Sequence, residues 1–198
     1  MTNEAFLSLI ALAIATLFTP GPNNIMLASS GATFGFRRTV PHMLGIIIGF
    51  PAMILGVGFF LGQVFENSAV LRDVIRWLGA VLMLWIAWKI ATAGGLSSAK
   101  GRARPMKLYE AAAFQWVNPK AWAMIIAVTS QFVTGDNAGR MIPLIALVFA
   151  TLGLSSTTLW AGFGTAMTRW LKTPGRLTLF NRTMAALIAA SIVILFLE

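Results

Sequence analysis

Two short stretches of this 198-residue chain bring together residues whose types and spacing can do chemistry. The first is Thr19-Pro20-Gly21-Pro22-Asn23-Asn24. Proline donates no backbone N–H and clashes with the preceding helical turn. Pro20 and Pro22 therefore leave the carbonyls of Thr16 and Phe18 without helical partners. Gly21 lets the chain bend, and Asn23 and Asn24 stand where a following helix would be capped. The second stretch is Phe114-Gln115-Trp116-Val117-Asn118-Pro119-Lys120, in which Pro119 frees the carbonyl of Gln115. Freed carbonyls suit ammonium groups and cations, whereas half-helix N-termini and a lysine suit carboxylates. The combination fits a zwitterion held by its two charges. Bond-breaking chemistry has less to work with. The chain has no cysteine and one histidine, His42. There is no His/Asp/Glu cluster for a metal, no Ser/His/Asp arrangement and no phosphate loop of the P-loop type. No catalytic residue, metal ligand or cofactor is expected. His42 lies near a span end, where interfacial hydrogen bonding is the expectation and proton relay the alternative.

These stretches interrupt long apolar runs. Hydrophobic residues make up 58% of the chain and charged residues 11%, and the mean hydropathy is +0.80. A soluble domain is nearer 45–50% apolar and about 25% charged, so soluble and disordered classes are excluded. A membrane-spanning helix needs roughly 20 apolar residues. Six runs qualify: about Ala5–Thr33, Val40–Val64, Val74–Ala93, Ala111–Thr134, Met141–Thr168 and Leu177–Leu197. They are apolar all round and lack the period-two alternation of barrel strands. The expected fold is all-α: a polytopic membrane protein of six transmembrane helices, with helices 1 and 4 discontinuous. The spans occupy nearly all of residues 1–198, a single transmembrane domain. The N-terminus carries Glu4 where a signal peptide would be basic, and its apolar stretch is too long for one.

The net charge of +9 reflects sidedness. Eleven of the 15 basic residues fall in the first, third and fifth links, around Arg37–Arg38, Lys89–Lys107 and Arg169–Arg182. The positive-inside rule puts these links in the cytoplasm and both termini outside, in the periplasm. A nucleic-acid partner is not expected; the lipid bilayer is. Residues 94–110, which include the Gly-, Ser- and Arg-rich Gly94–Pro105, form a flexible cytoplasmic linker between halves of about 1–93 and 111–198. Each half holds three spans, so homologous halves would be inverted. Pro22 pairs with Pro119, Arg38-x-x-Pro41 with Arg140-x-x-Pro143, Gly62 with Gly164, and Arg76-Trp-Leu-Gly-Ala with Arg182-Thr-Met-Ala-Ala. Gly45, Gly49 and Gly56 lie on one face of span 2 and, with Gly58 and Gly62, favour close helix packing. Trp77, Trp88 and Trp170 read as interfacial anchors. Lys120 stands about ten residues, or ~15 Å, inside its span, where an ionisable group is costly and points to function.

Six spans in about 200 residues, TPGPNN in span 1 followed by Gly35-Phe36-Arg37, Leu84-Trp85-Ile86-Ala87-Trp88-Lys89, and NPK in span 4 resemble the lysine-exporter (LysE/RhtB) family of bacterial amino-acid efflux proteins. Trp85–Thr92 looks similar to the branch that exports cysteine and O-acetylserine. The resemblance covers essentially the whole chain. It implies export of small amino acids or their derivatives across the cell inner membrane, with protons as the coupling ion. Its motifs carry over onto Pro20, Gly21, Pro22, Asn23, Asn24, Asn118, Pro119 and Lys120. With Gln115 these are the candidate substrate-binding residues. No carboxylate lies deep in a span, so no proton-coupling residue is evident, and a strongly cationic substrate is disfavoured. The competing readings are a divalent-metal exporter of related architecture, a membrane-embedded enzyme, a channel and a non-transporting membrane scaffold. Association into a homo-oligomer is left open.

Overall fold

The structure, a computed structural model, describes residues 2–61, 69–92, 104–133, 136–167, 170 and 173–197. Gly62, Glu66, Arg169, Lys172, Glu198 and residues 94–103 of the linker, with Lys100 and Arg102, lie outside these residues. Among the described residues the secondary structure is helical throughout, with no strand. In chain order the helices are α1 (Asn3–Phe18), α2 (Pro22–Phe34), α3 (Phe36–Gly56), α4 (Ala69–Thr92), α5 (Leu108–Phe114), α6 (Pro119–Phe132), α7 (Ala138–Met167) and α8 (Pro174–Leu197). A π-helical turn at Val57–Leu61 extends α3, and a 3-10 turn at Gln115–Val117 links α5 towards α6.

Two of these helices, Phe36–Phe60 with its turn and Ala138–Met167, are long and apolar enough to cross a membrane. The pair α1 and α2, bent by 51° at its break, makes a third if it is one span. The other three expected stretches coincide with α4, with the α5–α6 pair and with α8.

Local chemistry explains the boundaries. The Thr2 hydroxyl accepts the Ala5 N–H and caps α1. Gly35 ends α2 at φ 81°, a left-handed conformation that glycine tolerates best, and its N–H donates to the Gly31 carbonyl. At α5, the Glu110 carboxylate accepts the Lys107 N–H at 2.8 Å and pairs with Arg104.

Small residues let the helix backbones approach closely. A Cβ at Gly164 would collide with the Ala28 carbonyl, and one at Gly31 with the Ala161 carbonyl, so α2 and α7 meet backbone to backbone. Gly45 and Gly49 receive Leu108, Ala111 and Ala112 of α5 in the same way, and Gly58 receives Ile142. The main core joins α1, α3, α6 and α7 through Leu9, Phe50, Met53, Ile125, Ile142 and Phe149. Phe50 and Phe149 meet edge to face at 5.6 Å. A second cluster packs Ile25, Ala87, Phe114, Met184 and Ile188 between α2, α4, α5 and α8.

His42 departs from the sequence expectation of interfacial hydrogen bonding. It is only 2% exposed, and neither ring nitrogen has a hydrogen-bond partner among the described residues. The reason is its position on the α3 face that packs inward, beside buried Thr39, Met43, Gly45 and Ile46. Trp77, Trp88 and Trp170 all remain more than half exposed.

Candidate functional site

The two interrupted stretches meet. Between α1 and α2 the chain is extended at Thr19 and Gly21. Pro22 occupies the first helical position of α2, where its fixed φ helps and its missing N–H costs nothing. Gly21 is therefore the cap, with no side chain to cap with. Asn23 and Asn24 lie within the first turn of α2, two and three positions past the cap that the sequence assigned to them. In the second stretch the residue before the proline is an asparagine. Asn118 caps α6 and its side-chain oxygen accepts the Lys120 N–H at 3.1 Å.

Released from capping, the two asparagines do other work. The Asn24 side-chain N–H donates to the carbonyls of Leu17 (2.7 Å) and Thr19 (2.8 Å), satisfying the broken end of α1. The Asn23 side chain exchanges two hydrogen bonds with Gln115, Nδ2 to Oε1 at 2.8 Å and Nε2 to Oδ1 at 3.2 Å. Gln115 is fully buried and also donates to the Ala111 carbonyl.

Lys120 reaches the break itself. Its Nζ donates to the Thr19 hydroxyl at 2.9 Å, the Thr19 carbonyl at 3.0 Å and the Pro20 carbonyl at 3.4 Å. Its stem runs over Gly21, where a Cβ would lie 2.7 Å from Lys120 Cδ and 2.9 Å from Nζ. Glycine at this position lets the ammonium arrive. Lys120 is half-buried while Thr19 and Pro20 are exposed, so these contacts sit at the mouth of the site.

The set of available carbonyls differs from the sequence expectation. The Thr16 carbonyl accepts the Thr19 hydroxyl at 3.0 Å, and the Gln115 carbonyl accepts the Asn118 N–H at 3.3 Å as the 3-10 turn tightens. The oxygens that hold a cation are those of Thr19 and Pro20, further along the chain than Thr16 and Phe18.

A cavity of about 40 Å³ lies between the two breaks. Gly21, Asn23, Asn24, Asn118 and Lys120 line it. Pro20 joins the site through its carbonyl, Gln115 through Asn23, and Pro22 and Pro119 by starting the two half-helices. The sequence reading missed one wall entirely. Gly153, Ser156 and Thr157 of α7 also face the cavity. The Ser156 hydroxyl, 1% exposed, donates to the Leu17 carbonyl at 2.8 Å, and Thr157 donates to the Gly153 carbonyl at 2.8 Å. The signal was present as Ser155-Ser156-Thr157-Thr158, a polar run within an apolar span. Ile46, Phe50 and Met124 complete an apolar side. At roughly 10–15 Å³ per water, the cavity holds a few waters and is too small for an amino acid. A ligand of that size needs Lys120 or a wall to move.

Comparison with known proteins identifies the family. The family model described as LysE type translocator matches residues 14–197. The chain is 30% identical to the cysteine/O-acetylserine efflux protein of Salmonella typhi over 167 residues, covering 82% of this chain and 84% of the relative. It is 31% identical, with the same coverage, to the cysteine/O-acetylserine efflux protein of Escherichia coli K12. No solved structure matches the chain.

Proposed function

Because this chain belongs to the LysE type translocator family, we propose that it is a secondary exporter of small neutral amino acids or their derivatives, driven by the proton gradient. One observation carries the site assignment: an ammonium, that of Lys120, already sits on the Thr19 and Pro20 oxygens beside the uncapped start of α2. A substrate ammonium fits the same oxygens. When it takes them, Lys120 is released and can turn to the substrate carboxylate. The carboxylate also faces the positive end of α2, whose first N–H groups no side chain caps. Both charges of a zwitterion are then matched, and Lys120 exchanges one set of oxygens for another without becoming unpaired. Among the described residues lining the cavity there is no carboxylate, which favours neutral over cationic side chains. The names of the relatives, cysteine/O-acetylserine efflux proteins, support substrates of that size.

The exporter is read as one domain over residues 1–198, with six spans and both termini periplasmic. The three-span halves are inverted about the linker at 94–110. Support comes from the basic residues of the odd links and from helices over all six expected stretches. The test is efflux from loaded proteoliposomes against a panel of amino acids, with and without an imposed pH gradient. Saturable efflux of small neutral amino acids, accelerated by the gradient, is expected. No efflux of any amino acid, or flux that neither saturates nor exchanges, would remove the reading.

A further inference from the structure

Most glycines facing a neighbouring helix are there because something forbids a side chain. Gly31, Gly45, Gly49 and Gly164 each have a backbone atom where a Cβ would go. Gly153 is different. It lies inside the 30-residue helix α7 and is buried, yet a Cβ built on it meets nothing within 4 Å. A glycine in a helix interior weakens the helix relative to alanine, and no neighbour requires it here. The open space beside it is not the outside of the protein, because the residue is buried. It is the cavity between the two broken helices, which Gly153 lines together with Ile46, Phe50 and Met124. Its carbonyl is already engaged by the Thr157 hydroxyl. What Gly153 chiefly offers a ligand is room.

We infer that Gly153 sets the size of side chain the exporter accepts: the substrate's charged groups sit at Lys120 and the break, and its side chain extends over Gly153 against Ile46, Phe50 and Met124. This rests on the exporter reading. A methyl group at residue 153 removes part of a cavity of only about 40 Å³. The loss falls on long side chains and spares short ones. One methylene of misfit in an apolar pocket changes selectivity by roughly 10–200-fold.

The experiment compares wild type, Gly153→Ala and Gly162→Ala in proteoliposomes loaded with alanine, serine, cysteine, O-acetylserine or methionine, with rates per folded molecule. Gly162 lies on the same helix, is half-exposed, has equal space for a Cβ and does not line the cavity. It controls for the gain in helix propensity. Gly153→Ala is expected to slow O-acetylserine and methionine more than alanine, lowering the ratio of either to alanine by at least about ten-fold. Gly162→Ala is expected to keep the wild-type ratio. An unchanged ratio in Gly153→Ala, or an equal slowing of every substrate as a hinge glycine would give, overturns the inference and leaves the exporter intact. A wild type that exports none of the series removes the exporter reading, and this inference with it.

Discussion

Replacing Lys120 by methionine separates the two jobs its ammonium does. The stem over Gly21 is kept, because methionine is unbranched and of similar length, so packing at the break survives. The charge and its three contacts at 2.9, 3.0 and 3.4 Å are lost. For a zwitterion the bound state then lacks the lysine–carboxylate bond. A hydrogen bond to a charged group is worth about 1.5–3 kcal/mol, or roughly 10–150-fold in affinity. An opposing effect enters from the free state. In wild type the incoming ammonium must displace Lys120 from Thr19 and Pro20, and in the variant those oxygens stand open. The Thr19 carbonyl keeps its bond from Asn24, so the break stays partly satisfied without the lysine. A decarboxylated amine, which has nothing to gain from Lys120, therefore binds the variant at least as well as wild type. The amino acid binds it about ten-fold or more worse. The assay is equilibrium binding to purified protein, per folded molecule, of an amino acid and its matching amine. Equal weakening of both ligands, or unchanged amino-acid affinity in a well-folded variant, would refute the exchange of partners at Lys120.

Three further outcomes follow from the same geometry. Replacing Pro20 and Pro22 together with alanine allows α1 and α2 to join, since each proline costs a helix interior about 3 kcal/mol; the protein should insert and hold its stability while export is lost, and undiminished transport would make the break a packing kink. Asn23→Ala and Gln115→Ala should show a coupling energy of about 1 kcal/mol in a double-mutant cycle on thermal unfolding, whereas additive effects would show that the amide pair does not join the two breaks energetically. Cysteines placed at Lys107 and Asn137 should label from opposite faces of sealed cells, and labelling from one face would contradict the six-span topology.

Much of this was legible in the chain because proline and glycine act locally. The lone prolines Pro41, Pro51 and Pro143 stay inside continuous helices, whereas Pro20-Gly21-Pro22 and Asn118-Pro119 join a proline to a glycine, a second proline or a capping asparagine, so both breaks could be placed from these local clusters. The partners of the broken ends could not. The Leu17 carbonyl is met by Ser156, 139 residues away, and the Thr19 carbonyl by Lys120, 101 residues away. Apolar-all-round helices give no period from which to say which face looks inward, so the polar run Ser155-Ser156-Thr157-Thr158 marked α7 without showing that Gly153, Ser156 and Thr157 face the two breaks. The capping error at Asn23 and Asn24 has a local cause. In Gly21-Pro22 the residue ahead of the proline has no side chain, and the asparagines that follow turn to the carbonyls behind them and to Gln115. In Asn118-Pro119 the asparagine comes first and does cap.

The central claim is that an amino acid binds between the two breaks by taking the oxygens Lys120 now holds. Determining the structure with a bound small neutral amino acid measures this directly. The account predicts the ligand between Asn24, Lys120 and Ser156, its ammonium on the Thr19 and Pro20 oxygens, and Lys120 Nζ moved onto its carboxylate. A bound amino acid elsewhere, with Lys120 still seated on Thr19 and Pro20, would contradict it.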